Sequence, residues 1–282
     1  MRTVLVVDVP NLAWKAFHAV RGLSYGGVKT GVVFGLLKQV ESMTRSHAAS
    51  AVVMCFDSKT AKARRQEILP CYKANRTNTG DPDMASARKE MRKELRLLQE
   101  DYLPSGGFEN VFAADGYEAD DVVASVCNNL LGTTWRAVVA SSDRDLWQVL
   151  NGDSVMQWDG NRMMTAKRLQ DEFGLWPASW AEVKALAGCS SDNVPGCRGV
   201  GEATAAKWLR LHDKGAGPKT AAKIKAFYND PDNPFQRNLR VVKLPFPGCP
   251  KFTFEPGMPD AKKFSKLMGR LGIKSLGRRR DG

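Results

Sequence analysis

The sequence predicts an α/β fold built around a parallel sheet, and two observations carry this prediction. Three aliphatic runs, at 3–8, 51–57 and 137–143, each close on an aspartate, and stretches with helical periodicity separate them. Runs that are apolar at successive positions are typical of parallel strands covered on both faces. Because the carboxyl ends of parallel strands lie along one edge of a sheet, the aspartates that close the runs should converge there. These aspartates are Asp8, Asp57 and Asp143.

The helices near the start of the chain follow from the same patterns. After Asp8, Pro10 and Asn11 precede an apolar helical pattern at 12–20, and a second helix is predicted over 32–43. A strand-terminal aspartate is, by itself, an ordinary turn residue or helix cap. The repetition of an aspartate at three equivalent strand ends is what favours a shared site.

An acidic stretch, Gly116-Tyr-Glu-Ala-Asp-Asp121, opens another predicted helix. Glu118 and Asp121 are three residues apart and share a helix face, whereas Asp120 points about 100° away. An acidic first turn is common, because the helix dipole favours anions. This one, however, can reach the edge where the strand-end aspartates meet, and Asp145 closely follows the third of them. So many carboxylates in one cleft would repel unless cations lay among them, and oxygen ligands select Mg²⁺ or Mn²⁺.

Composition bounds the partners and the location of the protein. The chain has 282 residues, 43% of them hydrophobic, which suffices for one large domain or a domain with a smaller module. The net charge of +12 favours a polyanionic partner, nucleic acid rather than membrane. The six cysteines form no Cys-x-x-Cys pair, and no signal peptide or transmembrane run is evident. We therefore expect a cytoplasmic protein with reduced thiols.

A basic segment follows the second strand-end aspartate. Between Lys59 and Arg96 there are eleven Lys or Arg and five Asp or Glu, and a mobile loop is predicted around 74–82. A helix with a narrow apolar stripe then runs from Met84 to Tyr102. Such a helix is either a solvated surface helix or, given its placement, a basic cover over the acidic edge that holds a phosphate backbone.

The C-terminal third predicts a helix, a glycine-containing loop over 188–201 and a second helix at 203–211. A further helix start lies at 215–218. Loops of this kind before a helix present backbone amides to an anion, so the segment is similar to a helix-hairpin-helix pair that grips a duplex backbone. The tail from Lys262 to Arg280 holds eight Lys or Arg; it is either a solubilising, partly disordered tail or a DNA contact.

Together these motifs resemble the 5′-nuclease or flap-endonuclease family, including compact phage enzymes and the 5′-nuclease domain of bacterial DNA polymerase I. They run in family order from residue 4 to about 212. The matching stretches are Val7-Asp8 with Asn11, Phe56-Asp57, Leu69-Pro70 with Tyr72-Lys73 and Arg76, Gly116 to Asp121, Ser142 to Asp145, and Ser191-Asp-Asn193 through Gly201.

The resemblance implies a PIN-like core over 1–180, with a helical arch at about 59–102, and a helix-hairpin-helix region with a basic tail over 181–282. It implies a monomeric enzyme of DNA replication or repair, from a bacterium or phage, that cuts 5′ flaps and 5′ ends of DNA with Mg²⁺ or Mn²⁺. Two ions are implied, with a possible K⁺ at the hairpin. One divalent ion would lie among Asp8, Asp57, Glu118, Asp120 and Asp121, and the second among Asp143, Asp145 and Asp192.

The resemblance also assigns the DNA contacts. Lys73 and Arg76 would act on the scissile phosphate or its neighbour, and Tyr72 would stack on a base. The remaining contacts are expected at Lys184, Gly199, Gly201 and Lys207.

Two departures from the family pattern leave alternatives open. Cys189 stands where the family has an aspartate, which weakens the second metal site, and Val9-Pro10 replaces small residues after Asp8. One alternative is a catalytically weak DNA-junction binding protein with a degenerate second metal site. Another is a PIN-type ribonuclease, which the hairpin over 188–201 disfavours because such modules grip duplex DNA.

Overall fold

A six-stranded sheet forms the centre of the computed structural model, which describes residues 1–20, 22–76 and 82–276. Its strand order is β5-β4-β1-β6-β7-β8, and all neighbours are parallel except β7 and β8. The predicted parallel α/β sheet is therefore confirmed. The strands are β1 (Arg2–Asp8), β2 (Ser24–Tyr25), β3 (Val28–Lys29), β4 (Ala49–Cys55), β5 (Val111–Phe112), β6 (Trp135–Ala140), β7 (Val155–Trp158) and β8 (Met163–Met164), of which β2 and β3 form a separate hairpin.

Helices cover both faces of the sheet and build the C-terminal part. They are α1 (Val9–Val20), α2 (Gly31–Ser46), α3 (Ala63–Ile68), α4 (Pro82–Leu97), α5 (Leu103–Ser105), α6 (Ala119–Leu130), α7 (Ala166–Phe173), α8 (Trp180–Ala187), α9 (Glu202–Leu211), α10 (Pro218–Tyr228), α11 (Pro234–Val242) and α12 (Ala261–Arg270). A π-helical turn, Leu98–Tyr102, links α4 to α5. Short 3-10 helices lie at Ala74–Arg76, Arg144–Val149, Pro177–Ser179 and His212–Gly215.

The strand β1 is buried on both faces, as its aliphatic sequence predicts. Leu5 and Val7 pack into one apolar cluster with α1 and α2, whereas Val4 and Val6 pack into another with α6. A third cluster, around Trp180, joins α8, α9 and α11 to the segment that follows β6. The sheet is thus held rigidly between two helical layers, and its carboxyl edge is a stable platform for the side chains that follow the strands.

Element boundaries differ from the sequence prediction in three places. The first helix begins at Val9, directly after β1, because Pro10 in a first turn sacrifices no helical hydrogen bond. The strands β4 and β6 end before Asp57 and Asp143, which therefore lie in the loops that leave the sheet edge. The helix α3 was not predicted. The predicted mobile loop lies largely at 77–81, outside the described residues.

The structure describes the basic tail as far as Leu276. Helix α12 buries Leu267 and Met268 in the same cluster that covers one face of β1, so this part of the tail closes the core through an apolar face. Partial disorder and a DNA contact of the tail stay predictions. Arg278 to Arg280 lie beyond the described residues. In the part of the chain that the structure describes, no helix has both the length and the apolar character to cross a membrane.

Candidate active site

Asp8 lies at the centre of the acidic edge and is almost inaccessible to water, with 4% of its surface exposed. The hydroxyl of Ser141 donates to its Oδ2 at 2.7 Å, and the backbone N–H of Asn11 donates to Oδ1 at 3.2 Å. Burial raises the pKa of Asp8 to about 7, and the charges of Asp143 and Asp57 raise it further against the two hydrogen bonds. Asp8 is therefore held in place by hydrogen bonds, but the negative charge of its carboxylate is poorly compensated.

Asp57 and Asp120 complete this part of the edge. Asp57 Oδ1 accepts the backbone N–H of Ala119 at 2.8 Å, which fixes the start of α6 against the end of β4. Asp120 is half-buried, and its pKa is raised well above the ordinary value by burial and then by the charges of Asp8 and Asp143. The strand-end aspartates and the helix start thus interact electrostatically, as the sequence pattern predicts.

Glu118 differs from its acidic neighbours because it is paired with cations. Its Oε1 accepts from Lys73 Nζ at 2.6 Å, and its Oε2 accepts from Tyr72 Oη at 2.8 Å. Burial would raise the pKa of Glu118, but Lys73 and Arg65 outweigh burial and lower it. Glu118 is therefore ionised, and it holds the Lys73 ammonium at the acidic edge.

A second acidic group follows β6. The Oδ1 of Asp143 accepts the backbone N–H of Asp145 at 2.9 Å, and Lys184 Nζ lies 2.8 Å from Asp145 Oδ1. Burial and Asp143 raise the pKa of Asp145 to about 6 against the effect of Lys184. Asp192 faces the same group, since its charge also raises the pKa of Asp145, and its Oδ2 lies 3.7 Å from Lys73 Nζ.

Lys184 does not have the predicted position of a DNA contact. Its side chain is buried between Asp145 and Glu202, whose Oε1 accepts from Lys184 Nζ at 3.0 Å. An ammonium that is shared by two half-buried carboxylates compensates their charge rather than that of a phosphate. Lys207, in contrast, is exposed on α9, and Gly199 and Gly201 are exposed before that helix.

Asp121 also has a different position from the one predicted for a metal ligand. Its Oδ2 and Oδ1 accept from the Arg65 guanidinium at 2.7 and 2.8 Å, and its side chain is completely buried. It also accepts the backbone N–H groups of Glu118 and Phe246 at 3.0 and 2.7 Å. With both oxygens bonded to protein donors, the carboxylate secures the start of α6.

Tyr72 is buried rather than available to a base. Only 4% of its surface is exposed, and its hydroxyl is bonded to Glu118. Stacking on a base, which the family resemblance implies, therefore conflicts with the conformation seen here. Arg76 ends the 3-10 helix that follows Lys73.

Cys189 lies beside the second acidic group, where the family pattern has an aspartate. Its Sγ is 3.1 Å from Ser191 Oγ. Burial raises the pKa of the thiol, and the charges of Asp192 and Asp145 raise it further, so the group is neutral at pH 7. The loop around it is tightly folded, because a Cβ on Gly188 would lie 2.4 Å from the backbone N of Gly196.

The donor set suits a hard divalent cation, although it is not drawn together as a ready-made cage. Within 1–20, 22–76 and 82–276, no three or more His, Cys, Asp or Glu side chains are grouped closely enough to hold a metal ion. Yet Asp8, Asp120 and Asp145 all have raised pKa values, in each case partly because of a neighbouring carboxylate. Carboxylate oxygens that repel one another in a basic protein fit Mg²⁺ or Mn²⁺ by donor chemistry and by charge.

Two residues that shape the site were missed by sequence reasoning. Ser141 donates to Asp8 and accepts the N–H of Asp143, so it joins the two acidic groups, but a serine after a strand carries no distinctive signal. Arg65 was also missed. The structural role of Asp121, the partner of Arg65, could have been predicted from the sequence. Glu118 and Asp121 have the spacing of a capping box, in which the Asp121 side chain bonds to the start of its own helix.

Comparison with known proteins identifies the family. Residues 3–174 match the profile of the family described as 5′-3′ exonuclease, N-terminal resolvase-like domain. The chain belongs to this family. The thermostable DNA polymerase I of Thermus thermophilus is 32% identical over 210 residues, which is 73% of this 5′-3′ exonuclease-family chain and 24% of the polymerase. The chain thus spans about a quarter of the length of the curated relatives it matches.

Solved structures share the fold of this family member. A T5 5′-exonuclease with bound zinc superposes with a TM-score of 0.71 at 20% identity, covering 98% of this chain and 100% of that one. A bacteriophage T5 flap endonuclease in complex with DNA and metal ions has a TM-score of 0.68 at 21% identity, covering 86% and 90%. The predicted PIN-like fold is confirmed, and the predicted class, a 5′-nuclease, is confirmed at the level of the family.

Proposed function

We propose that this chain is a structure-specific 5′-nuclease that hydrolyses DNA phosphodiesters at 5′ flaps and 5′ ends with divalent metal ions. The observation that carries the proposal is the acidic edge, where burial and neighbouring carboxylates raise the pKa of Asp8, Asp120 and Asp145. Lys73 stands beside them as a cation. Family membership supports the reaction class, and the donor chemistry supports Mg²⁺ or Mn²⁺.

The acidic residues form two groups, each of which would bind one divalent ion. Asp8, Asp57 and Asp120, with Glu118 beside them, would hold one ion, and Asp143, Asp145 and Asp192 would hold a second. Asp121 is left out of this set, because Arg65 occupies both of its oxygens. Bound divalent ions would supply a lowered pKa for the attacking water and charge stabilisation at the phosphate.

Lys73 would supply fixed positive charge to the scissile phosphate. Its ammonium already lies between Glu118 and Asp192, 2.6 Å and 3.7 Å away, so it is positioned before DNA arrives. A charge positioned in advance stabilises the transition state without reorganisation. Arg76, three residues further along the chain, would add a second cation to the same phosphate or its neighbour.

The loop between α8 and α9 would grip the duplex. The exposed Gly199 and Gly201 would present backbone amides to a phosphate as in a helix-hairpin-helix, and Lys207, exposed on α9, would add a cation. We also propose that this loop binds K⁺ and that the protein is monomeric and cytoplasmic. The nuclease core would end near residue 180, where this DNA-binding region would begin.

A DNA-junction binding protein with weak catalysis is the second candidate, and Cys189 is the observation that favours it. A neutral thiol at the second acidic group brings neither the charge nor the hard oxygen of an aspartate. Such a protein would bind flaps without turning them over in Mg²⁺.

Cleavage of a labelled 5′ flap with Mg²⁺, with and without a chelator, tests the proposal. Asp120→Asn and Asp143→Asn should abolish cleavage but leave DNA binding intact, because each removes a charge from the metal site without changing size. Asp171→Asn, on the exposed outer face of α7, is the matched control and should cleave normally. Undiminished cleavage by Asp120→Asn at neutral pH would exclude the assignment, and binding without any wild-type turnover would support the second candidate.

A further inference from the structure

Two segments that are far apart in the sequence are interlocked beside the acidic edge. The Asn193 side-chain amide donates to the backbone oxygen of Cys71 at 2.7 Å, and the Cys71 thiol donates back to the Asn193 backbone oxygen at 3.5 Å. Two residues after Cys71, the backbone N–H of Lys73 donates to the backbone oxygen of Asp192 at 2.8 Å. We call this pairing of residues 71–75 with residues 190–193 the interlock.

Two of its residues have a backbone that side chains rarely adopt. Lys73 has φ 52° and Asn193 has φ 56°, both in the left-handed region. An asparagine tolerates this region comparatively well, whereas a lysine has no local hydrogen bond to favour it. Two backbone hydrogen bonds hold Lys73 in this turn: locally, the N–H of Ala74 donates to the oxygen of Cys71 at 3.0 Å, and across the interlock the N–H of Lys73 donates to the oxygen of Asp192.

The turn at Lys73 determines where its ammonium points. The Lys73 N–H is fixed by Asp192, and the ammonium at the far end of the side chain reaches Glu118 and Asp192. The side-chain amide of Asn193 holds the backbone of Cys71, two residues before Lys73. Loss of that hydrogen bond would release the segment and let the lysine turn away.

We propose that Asn193 is a positioning residue, which orients the Lys73 side chain through the interlock. The inference rests on the proposed function for the role of Lys73, but it adds a residue to which no catalytic or binding role is assigned above. It also ties the loop proposed to grip duplex DNA to the cation proposed to act on the scissile phosphate. The two parts of the substrate would then be engaged by one hydrogen-bonded unit.

The test uses a substitution that keeps the backbone shape and deletes the donor. Asn193→Gly retains access to the left-handed region, because glycine adopts it freely, but it removes the amide that holds Cys71. Asn233→Gly is the matched control, since Asn233 is also left-handed at φ 46° but caps α11 instead. Both are measured as full-length chains, for single-turnover cleavage at saturating flap DNA and for backbone hydrogen exchange.

Asn193→Gly should slow cleavage, by up to about 10²-fold for a misplaced group, with DNA affinity little changed. In a Lys73→Ala background the same substitution should cost nothing further, because its effect passes through Lys73. Losses that multiply instead would overturn the proposal, since Asn193 would then act independently, for example through Asp192.

Hydrogen exchange keeps the inference separate from the proposed function. Amides at 71–75 should exchange faster in Asn193→Gly and at the wild-type rate in Asn233→Gly. Unchanged exchange at 71–75 would overturn the interlock whatever the nuclease activity. A wild-type chain that cleaves no DNA would refute the proposed function, and the exchange result would still decide whether Asn193 holds the Lys73 segment.

Discussion

Arg65 and Asp121 form a two-pronged ion pair, Nη1 to Oδ2 at 2.7 Å and Nη2 to Oδ1 at 2.8 Å, that water does not reach. Arg65 Nε also donates to the backbone oxygen of Val241 at 2.8 Å. One guanidinium therefore joins the base of the basic segment, the start of α6 and the end of α11. The pair also borders the acidic edge, because Arg65 Nη1 lies 3.6 Å from Glu118 Oε2.

Breaking this pair should be strongly destabilising. Arg65→Met leaves Asp121 buried without its partner, which costs about 3–5 kcal/mol in comparable pairs, and urea unfolding would measure the loss. The double variant Arg65→Met with Asp121→Leu should recover much of that stability, since no uncompensated charge remains. Arg168→Met breaks a solvent-exposed pair with Glu172 and should cost about 1 kcal/mol or less. Equal losses for Arg65→Met and Arg168→Met would contradict the structural role.

The metal-free protein should lose stability as the pH rises from about 4 to about 7. The pKa of Asp8 is raised to about 7 and that of Asp145 to about 6, so folding favours their protonated forms. A raised carboxyl pKa stabilises the fold below the unfolded value, and that contribution disappears as pH passes the folded value. Urea unfolding with a chelator should show the fall, Asp8→Asn should flatten it, and Mg²⁺ should oppose it at neutral pH. A fall that persists unchanged in Asp8→Asn would contradict the assignment.

Lys73→Ala should slow chemistry more than it weakens binding. A preorganised cation that acts in the transition state contributes about 2–4 kcal/mol to the barrier, and single-turnover rates at saturating DNA would measure it. Lys207→Ala, at an exposed position on α9, should instead weaken affinity and reduce the salt dependence while the saturated rate stays normal. If Lys73→Ala shows the Lys207→Ala pattern, Lys73 is one phosphate contact among many.

Cys189→Asp should move the Mg²⁺ titration of cleavage to lower concentration. The added carboxylate supplies charge and hard oxygen beside Asp192 and Asp145, where the thiol is neutral. Cys189→Ser, which changes the atom without adding charge, is the control and should titrate like the wild type. Mn²⁺ should rescue the wild type disproportionately, because it is softer than Mg²⁺. Superimposable Mg²⁺ curves for wild type and Cys189→Asp would mean that position 189 does not tune the metal.

The sheet and the acidic edge were predictable because their sequence signals are local. A run such as 3–8 that is apolar on both faces fits a buried parallel strand, and the chain direction then fixes the edge to which Asp8 belongs. Arg65 gave no such signal, because its burial depends on a carboxylate 56 residues later in the chain. The same tertiary partner occupies both oxygens of Asp121, which the sequence predicts as a metal ligand.

The lysines also show that sequence alone does not predict which partner a charged side chain will have. Lys184, Lys207 and Lys73 look alike in sequence, yet the first is enclosed by two carboxylates, the second is exposed and the third lies at the acidic edge. What separates them is the charge that each finally faces, and that is decided by packing between elements distant in sequence. Local sequence patterns therefore predict the sheet and its acidic edge better than they predict the role of each lysine beside that edge.

The central place of β1 has a consequence for how the chain folds. Val6 pairs with Val53 on one side and with Val139 on the other, so β1, the first strand of the sheet in chain order, gains its second neighbour only after the elements from α1 to α6 have followed it. Pairings this distant in sequence form slowly, because loop closure must precede them. Until then β1 exposes apolar residues on both faces and an open hydrogen-bonding edge, which are the features that attract aggregation or a chaperone. The strand that delivers Asp8 to the site is thus the earliest to appear and among the last to be enclosed.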